Sequence, residues 1–230
     1  MTARELLTEG LETLKLNNPQ AVDQLLAFSD LLLEKNKVMN LTAVTDPMEV
    51  VTRHFLDCAP LASYAAGKKV VDVGCGAGFP GMPLALLTDA KVTLLDSLGK
   101  RITFLNEVIA ALDMKNAQAI HARAEEFGHR EEFDLATSRA VARLNILAEL
   151  SLPLVKVGGY FIAMKAVGSD EEIEQAKKGI RLLGGQVERV LDYDVPMTEG
   201  RKSRLVIIKK IKGTPQKYPR RFQKISAQPL

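Results

Sequence analysis

The apolar positions of this chain change their period once, near residue 67. Before that point they follow a helix: Leu6, Leu7, Leu11 and Leu14 recur at helical spacing, and Val22, Leu25, Leu26, Leu32 and Leu33 continue an apolar stripe. Asn18-Pro19 and Asp46-Pro47 each read as a side-chain cap followed by a proline at the first helical position, where its missing N–H is no loss. Val50, Val51, His54 and Phe55 follow the second cap, and Gly67 ends this part. Beyond it Val70, Val71 and Val73 form a short apolar strand. Further strands are predicted at 91–95, 117–121, 133–137 and 160–165, alternating with helical patterns at 98–112, 144–154 and 171–183. Such alternation predicts βαβ units, a mostly parallel sheet and helices on both faces. Strands at 186–193 and 204–210 have no helix between them, so they are expected to pair as an antiparallel edge hairpin. The expected organisation is a helical extension over 1–66, an α/β domain over 67–212 and a tail over 213–230.

The first strand runs into Asp72-Val-Gly74-Cys-Gly76-Ala-Gly78-Phe-Pro-Gly81. A glycine-rich turn after the first strand is where an open α/β sheet binds a nucleotide, because glycines admit positive φ and let a ligand approach the backbone. The spacing selects the ligand. A dinucleotide fingerprint is Gly-x-Gly-x-x-Gly, and here the third glycine falls one residue early. Pro80 and Pro83 make the helix start a poor cradle for a pyrophosphate. Asp72, directly before the glycines, suits a cofactor carrying an ammonium group. These features favour S-adenosylmethionine over NAD. Asp96, ending the second strand, is placed to accept both ribose hydroxyls of an adenosine, a role shared by both cofactors; a helix cap at Asp96 or Ser97 is the bland alternative.

Charge adds a partner to this picture. The net charge of +3 conceals an asymmetry: residues 201–230 hold ten Lys or Arg and no Asp or Glu, leaving 21 basic against 28 acidic residues in the first 200, a net of −7. A basic end on an acidic body reads either as a polyanion contact, most simply nucleic-acid phosphate, or as a solvated terminus. No apolar run approaches bilayer length and no basic-then-apolar leader opens the chain, so no membrane contact is expected. Cys58 and Cys75 lie in unrelated contexts, which suggests neither disulfide nor metal site and makes the reducing cytoplasm the expected compartment.

Several segments together resemble the glucose-inhibited division protein B family, the small-subunit rRNA guanine-N7 methyltransferases. They are Asn40-Leu-Thr-Ala-Val44, Arg53-His-Phe-Leu-Asp57, Val71 through Gly81, Arg123-Ala-Glu-Glu126, Ser138-Arg-Ala-Val-Ala142 and Lys217-Tyr-Pro-Arg220, in family order and spanning nearly the whole chain. The resemblance implies a class I S-adenosylmethionine-dependent methyltransferase fold, Rossmann-like with an N-terminal helical extension. It also implies methyl transfer to N7 of a guanine in 16S rRNA, free or in an assembling small subunit, by an enzyme expected to be a monomer. Carried over by motif position, Gly74 and Phe79 line the cofactor site, Ala124 and Glu125 meet the adenine side, and Arg139 sits at the cofactor or substrate mouth.

Guanine N7 has an exposed lone pair and no proton to lose, so this transfer demands alignment in a preorganised pocket and no general base. The three histidines fit that reading. His54 is expected to pack or hydrogen-bond, while His121 and His129 are structural or solvated. Arg139 and Lys165 each follow a parallel strand at the ligand edge, where Arg offers a fork for a carboxylate or phosphate. Glu125 and Glu126 read alternatively as the start of a short helix. The expected RNA contacts are Arg53, Lys165, Lys202, Lys217, Arg220 and Arg221, with Lys212 and Lys224 as further free groups, and one of Lys209 and Lys210 turned to solvent. Truncation after Gly213 is expected to spare the fold, the alternative being that apolar Tyr218, Pro219 and Phe222 pack against the body, and a side chain at Gly76 or Gly78 is expected to fill the ligand space. The competing readings are an NAD-dependent oxidoreductase, a small-molecule methyltransferase, an RNA methyltransferase with another target base, and a non-enzymatic RNA-binding protein. Glycine spacing, the basic end and the intact glycine–Asp96 set argue against the first, the second and the last of these.

Overall fold

A computed structural model describes residues 1–16, 18–139 and 142–230. Before the sheet come α1 (Ala3–Thr13), α2 (Pro19–Met39), α3 (Pro47–Val50), a π-helical turn Val51–Phe55, α4 (Leu56–Cys58), a 3₁₀ turn Ala59–Leu61 and α5 (Ala62–Ala65). Both cap signals hold. The Asn18 side chain accepts from the backbone N–H of Gln20 and Ala21, and Asp46 from those of Met48 and Glu49.

The strands and helices then alternate: β1 (Lys69–Val73), α6 (Gly81–Leu87), β2 (Lys91–Asp96), α7 (Gly99–Ala111), β3 (Ala117–His121), β4 (Phe133–Arg139), α8 (Leu144–Ser151), β5 (Val155–Lys165), α9 (Asp170–Leu182), β6 (Gly185–Asp194) and β7 (Lys202–Lys210), with a final α10 (Phe222–Ala227). They build one seven-stranded sheet in the order β3-β2-β1-β4-β5-β7-β6. β1 through β5 pair in parallel, and β7 runs antiparallel to both β5 and β6. The hairpin is therefore antiparallel and lies at the sheet edge as expected. Its second strand, though, is inserted beside β5, and its first becomes the edge.

Strand alternation divides the core in two. Val70, Leu94, Leu135, Ile162, Leu205 and Ile207 face a cluster containing Leu7, Leu25, Phe28 and Phe55 from the leading helices with Met82 and Leu105 from α6 and α7. The intervening Val71, Leu95, Ala136, Phe161, Val206 and Ile208 face Leu147 of α8, Ile173 and Ile180 of α9, and Tyr218 and Ile225 of the C-terminal segment. Each fully buried Leu or Phe contributes about 1.5–3 kcal/mol. The leading helices therefore share one core with the sheet instead of forming a separate body.

The C-terminal segment overturns an expectation. Residues 213–230 are docked on the body: Thr214, Tyr218 and Ile225 are buried, and the Arg220 guanidinium grips the fully buried Glu149 of α8. Among the described residues no helix is long and apolar enough to cross a membrane.

Candidate functional site

The loop after β1 is pinned from below. The N–H groups of Gly74 and Cys75 both donate to the carbonyl of Leu95 at 2.8 and 3.0 Å, and Gly76 N–H donates to Asp96 Oδ2 at 2.9 Å. At Gly76, φ is +58° and an added Cβ would meet nothing within 4 Å, so its bare Cα opens on the cavity above. Gly78 differs. Its φ is +102°, and a Cβ there would lie 2.6 Å from Met82 Cγ and 2.8 Å from Leu105 Cδ2. Gly78 lets α6 and α7 pack closely; it is not a wall of the ligand space, which corrects the expectation for that position.

Asp72 is also placed differently. It is completely buried, and its Oδ2 accepts from Gly81 N–H at 2.8 Å, tying β1 to the start of α6. Burial pushes its carboxyl up to about 7, although the Gly81 bond opposes the shift. It lies beneath the loop and does not line the cavity, so the ammonium contact read for it is not formed by its position. Its Oδ1 is buried without a hydrogen-bond partner among the described residues.

Above the loop lies a cavity of about 560 Å³ lined by Gly74, Gly76, Phe79, Asp96, Ala124, Glu125 and Arg139 among others, which brings together most of the residues expected there. Asp96 Oδ1 accepts from Leu98 N–H at 2.8 Å, and Arg101 reaches Oδ2 at 3.3 Å. Oδ2 thus takes two donors and Oδ1 one, which leaves Oδ1 with acceptor capacity on a residue that lines the cavity. The cap alternative holds in part, since Asp96 turns the chain toward α7 while Leu98 occupies the cap position itself. Ala124 and Glu125 form a 3₁₀ turn after β3, so the short-helix and ligand-wall readings coexist there. His121 contacts the Ser97 carbonyl at 3.0 Å and exposed His129 pairs with Glu132, both structural roles as expected.

Arg139 stands at the junction with a second cavity of about 730 Å³, lined by Arg53, His54, Asp57, Lys165, Arg201, Lys202 and Ser203 among others. One arm of its fork, Nη1, donates to the carbonyl of Arg53 at 3.0 Å and to Asp57 Oδ2 at 3.3 Å; Nη2 lies 3.1 Å from His54 Nδ1. The guanidinium lies 5.0 Å from the centre of the Phe79 ring, and that ring lies 4.4 Å from His54. Nδ1 also lies 2.9 Å from the Arg53 carbonyl, so it faces an acceptor as well as the Arg139 donor, and Nε2 lies 3.0 Å from Thr42 Oγ1; the tautomer sets which of these contacts are hydrogen bonds. Burial and the Arg139 charge push His54 down to about 3, so it stays a neutral orienting group, as the sequence suggested. Ala140 and Val141, which complete the motif begun by Ser138 and Arg139, lie outside the described residues.

The expected RNA contacts separate. Arg53 and Lys202 are half-exposed and only loosely paired, with Glu49 at 3.6 Å and Asp194 at 3.4 Å. Arg201, missed in the sequence, lines the second cavity and has no side-chain partner among the described residues. Lys165 also lines it, but its Nζ is held by Glu172 at 2.6 Å and the Ala142 carbonyl at 2.8 Å. Lys217 and Arg221 are exposed. Arg220 is not free: its Nε and Nη2 meet the two oxygens of Glu149 at 2.8 and 2.6 Å, which removes it from the RNA contacts. Of the pair at the end of β7, Lys209 reaches solvent while Lys210 is fully buried, bonded to the Leu152 carbonyl and to Thr214 Oγ1, and pushed down to about 8 by burial. Phe222, at the start of α10, also lines the first cavity, which no sequence signal indicated.

Comparison with known proteins agrees with this geometry. Residues 21–199 match the GidB family, described as rRNA small subunit methyltransferase G. The chain belongs to that family. A ribosomal RNA small subunit methyltransferase G from Acetivibrio thermocellus is 45% identical over 235 residues, covering 99% of this chain and 96% of that one. One from Clostridium botulinum is 45% identical over 221 residues, covering 93% and 92%. Among solved structures, TYW2 of M. jannaschii in complex with AdoMet aligns with a TM-score of 0.56 at 17% identity, covering 67% of this chain and 75% of that one. Geranyl diphosphate C-methyltransferase of Streptomyces coelicolor aligns at 0.54 and 12%, covering 67% and 78%. At such identities these two speak for the fold alone, which is that of class I methyltransferases. The family and fold expected from the sequence are borne out, and the oxidoreductase alternative is not.

Proposed function

We propose that this methyltransferase moves a methyl group from S-adenosylmethionine to N7 of a guanine in 16S rRNA, with the first cavity holding the cofactor and the second admitting the target nucleotide. The observation that carries this reading is the shared wall: Arg139 and His54 line both cavities, so a group reaching in from one meets a ligand held in the other. The first cavity fits an adenosyl ligand, since the bare Gly76 Cα leaves space over the loop and Asp96 presents acceptors for ribose hydroxyls. Ala124 and Glu125 border the adenine side.

S-adenosylmethionine supplies a methyl group on a sulfonium, already electrophilic. The chain's own residues bind and align. Asp96 fixes the ribose, and Arg139 offers donors where a carboxylate or a nucleotide phosphate arrives. Neutral His54 neither gives nor takes a proton in the working range, as a target with a free lone pair requires. Arg53, Arg201, Lys202, Lys217 and Arg221 supply positive charge for the RNA backbone. The substrate is 16S rRNA, free or in an assembling small subunit, and the enzyme works as a monomer in the cytoplasm, consistent with two buried free cysteines.

The test is transfer of labelled methyl to unmodified 16S rRNA and to small subunits, followed by chain cleavage selective for N7-methylguanine. Label at one guanine, released by that cleavage, is the expected result. Label on an exocyclic nitrogen, on a carbon, or only on protein would refute the assignment.

A further inference from the structure

The basic C-terminal segment reads in sequence as an arm, yet four anchors clasp it to the body. Thr214 N–H donates to Glu131 Oε1 at 2.8 Å, and its hydroxyl donates to the Leu183 carbonyl at 2.6 Å. The Arg130 guanidinium donates to the carbonyls of Thr214 and Tyr218. Arg220 donates to Glu149 through both its side chain and its backbone N–H, the latter at 2.9 Å. Tyr218 and Ile225 enter the core beside α8, and Leu230 ends against Gly179. These contacts fix the position of α10, and its first residue stays out of the core they form.

That residue, Phe222, is 39% exposed and lines the first cavity together with Leu150, the neighbour of Glu149. Leu98, just after Asp96, is the other large apolar side chain on that wall left exposed, at 43%. Ala122 and Ala124, at the end of β3, pack against the cluster that contains Tyr218 and Ile225. Phe222 therefore lines the same cavity as Asp96, Ala122 and Ala124, the residues that border the ribose and adenine in the cofactor reading. A partly exposed aromatic side chain on the wall of a ligand cavity, in a segment anchored by a buried ion pair, is suited to stacking on a base.

We infer that Phe222 is a cofactor-binding residue that contacts the adenine, and that the C-terminal segment forms a wall of the cofactor cavity. The inference rests on the cofactor reading above and deepens it. The chain contains no tryptophan, so Phe222→Trp places a lone fluorophore at the proposed contact. Titration with S-adenosylhomocysteine should change its emission saturably, and 5′-methylthioadenosine, which keeps the adenosyl half, should do the same. By calorimetry, Phe222→Ala should raise the Kd of both ligands by roughly tenfold, the usual scale for removing one base–aromatic stack. Phe222→Leu should fall between. Unchanged F222W emission while calorimetry registers binding, or a wild-type Kd in F222A, overturns the inference and leaves the cofactor reading standing. A wild-type protein that binds neither ligand overturns both.

Discussion

Arg220→Ala tests the clasp directly. The Glu149 side chain has no solvent exposure and Arg220 only 15%, so the substitution strands a carboxylate in the core with one backbone N–H in place of a full bidentate partner. Removing one member of a buried pair costs about 3–5 kcal/mol, because the surviving charge keeps its desolvation penalty. For a chain of 230 residues each kcal/mol lowers the midpoint by about 2–4 °C, so Tm should fall by about 6–20 °C. Urea and thermal unfolding followed by circular dichroism measure this. Replacing both partners, as in Glu149→Leu with Arg220→Leu, should recover most of the loss, since the penalty belongs to the unpaired charge. Exposed Lys224→Ala is the control and should stay within about 0.5 kcal/mol of wild type. If Arg220→Ala costs less than about 1 kcal/mol, the segment is not clasped in solution and truncation after Gly213 becomes harmless after all.

Four further outcomes follow from the site. Gly76→Val should abolish S-adenosylhomocysteine binding with the fold retained, whereas Gly78→Val should lower Tm by crowding Met82 and Leu105, at about 1–3 kcal/mol, and spare affinity in the folded protein; the reverse pattern in calorimetry and melting would exchange their roles. His54 titrates near 3 when folded and near 6.5 when unfolded, so below pH 6.5 the unfolded chain takes up a proton that the native one refuses, and stability drains as pH falls. Between pH 8 and 5 that loss is about 2 kcal/mol, so His54→Gln should lose less than wild type over the same span in urea titrations, and equal losses would disprove the neutral-histidine assignment. Arg139→Lys should cut single-turnover methyl transfer by about tenfold or more, because a point-charge ammonium cannot reproduce the planar fork held at the Arg53 carbonyl and Asp57 over the Phe79 ring; near-normal turnover would show that charge alone suffices. Neutralising Lys217, Arg221 and Lys224 should make log affinity for RNA against log salt shallower by roughly 0.7 for every RNA phosphate that those cations would otherwise neutralise, and an unaltered slope would leave them solvated.

What was legible in the sequence was whatever period and capping could announce. Alternation near residues 70–73 and 91–95 announced the parallel strands, Asn18-Pro19 and Asp46-Pro47 the helix starts, and the strand-loop position of Gly76 and Asp96 the ligand edge. Long-range pairing left no such mark. Glu149 reads as an ordinary helix carboxylate, and Arg220 as one more cation in a basic end; only the fold shows that they neutralise each other. Gly78 and Asp72 sit in the same motif as Gly76, yet the first serves packing and the second serves the start of α6. A motif fixes residue types, while the turn it makes decides which of them face the ligand. Arg201 and Phe222 were overlooked because each is ordinary in its local sequence and gains meaning only from the cavity it lines.

The chain ahead of the sheet also acquires a role that its helical pattern did not disclose. Thr42, His54 and the Arg53 carbonyl reach the Arg139 junction from that extension. So does Asp57, whose Oδ1 accepts from the Ser203 hydroxyl of β7 at 2.6 Å and whose carbonyl accepts from Tyr193 of β6 at 2.8 Å. The edge hairpin thus braces Asp57, and the extension carries the acceptors that hold the Arg139 guanidinium. For a reaction that needs no base, rate depends on how narrowly the acceptor is aligned, and a fork fixed by the Arg53 carbonyl, Asp57 and an aromatic face has little freedom left to lose. Under the proposed function the extension belongs to the reaction site, and a methyltransferase domain begun at β1 would retain its glycine loop yet lose the groups that hold Arg139.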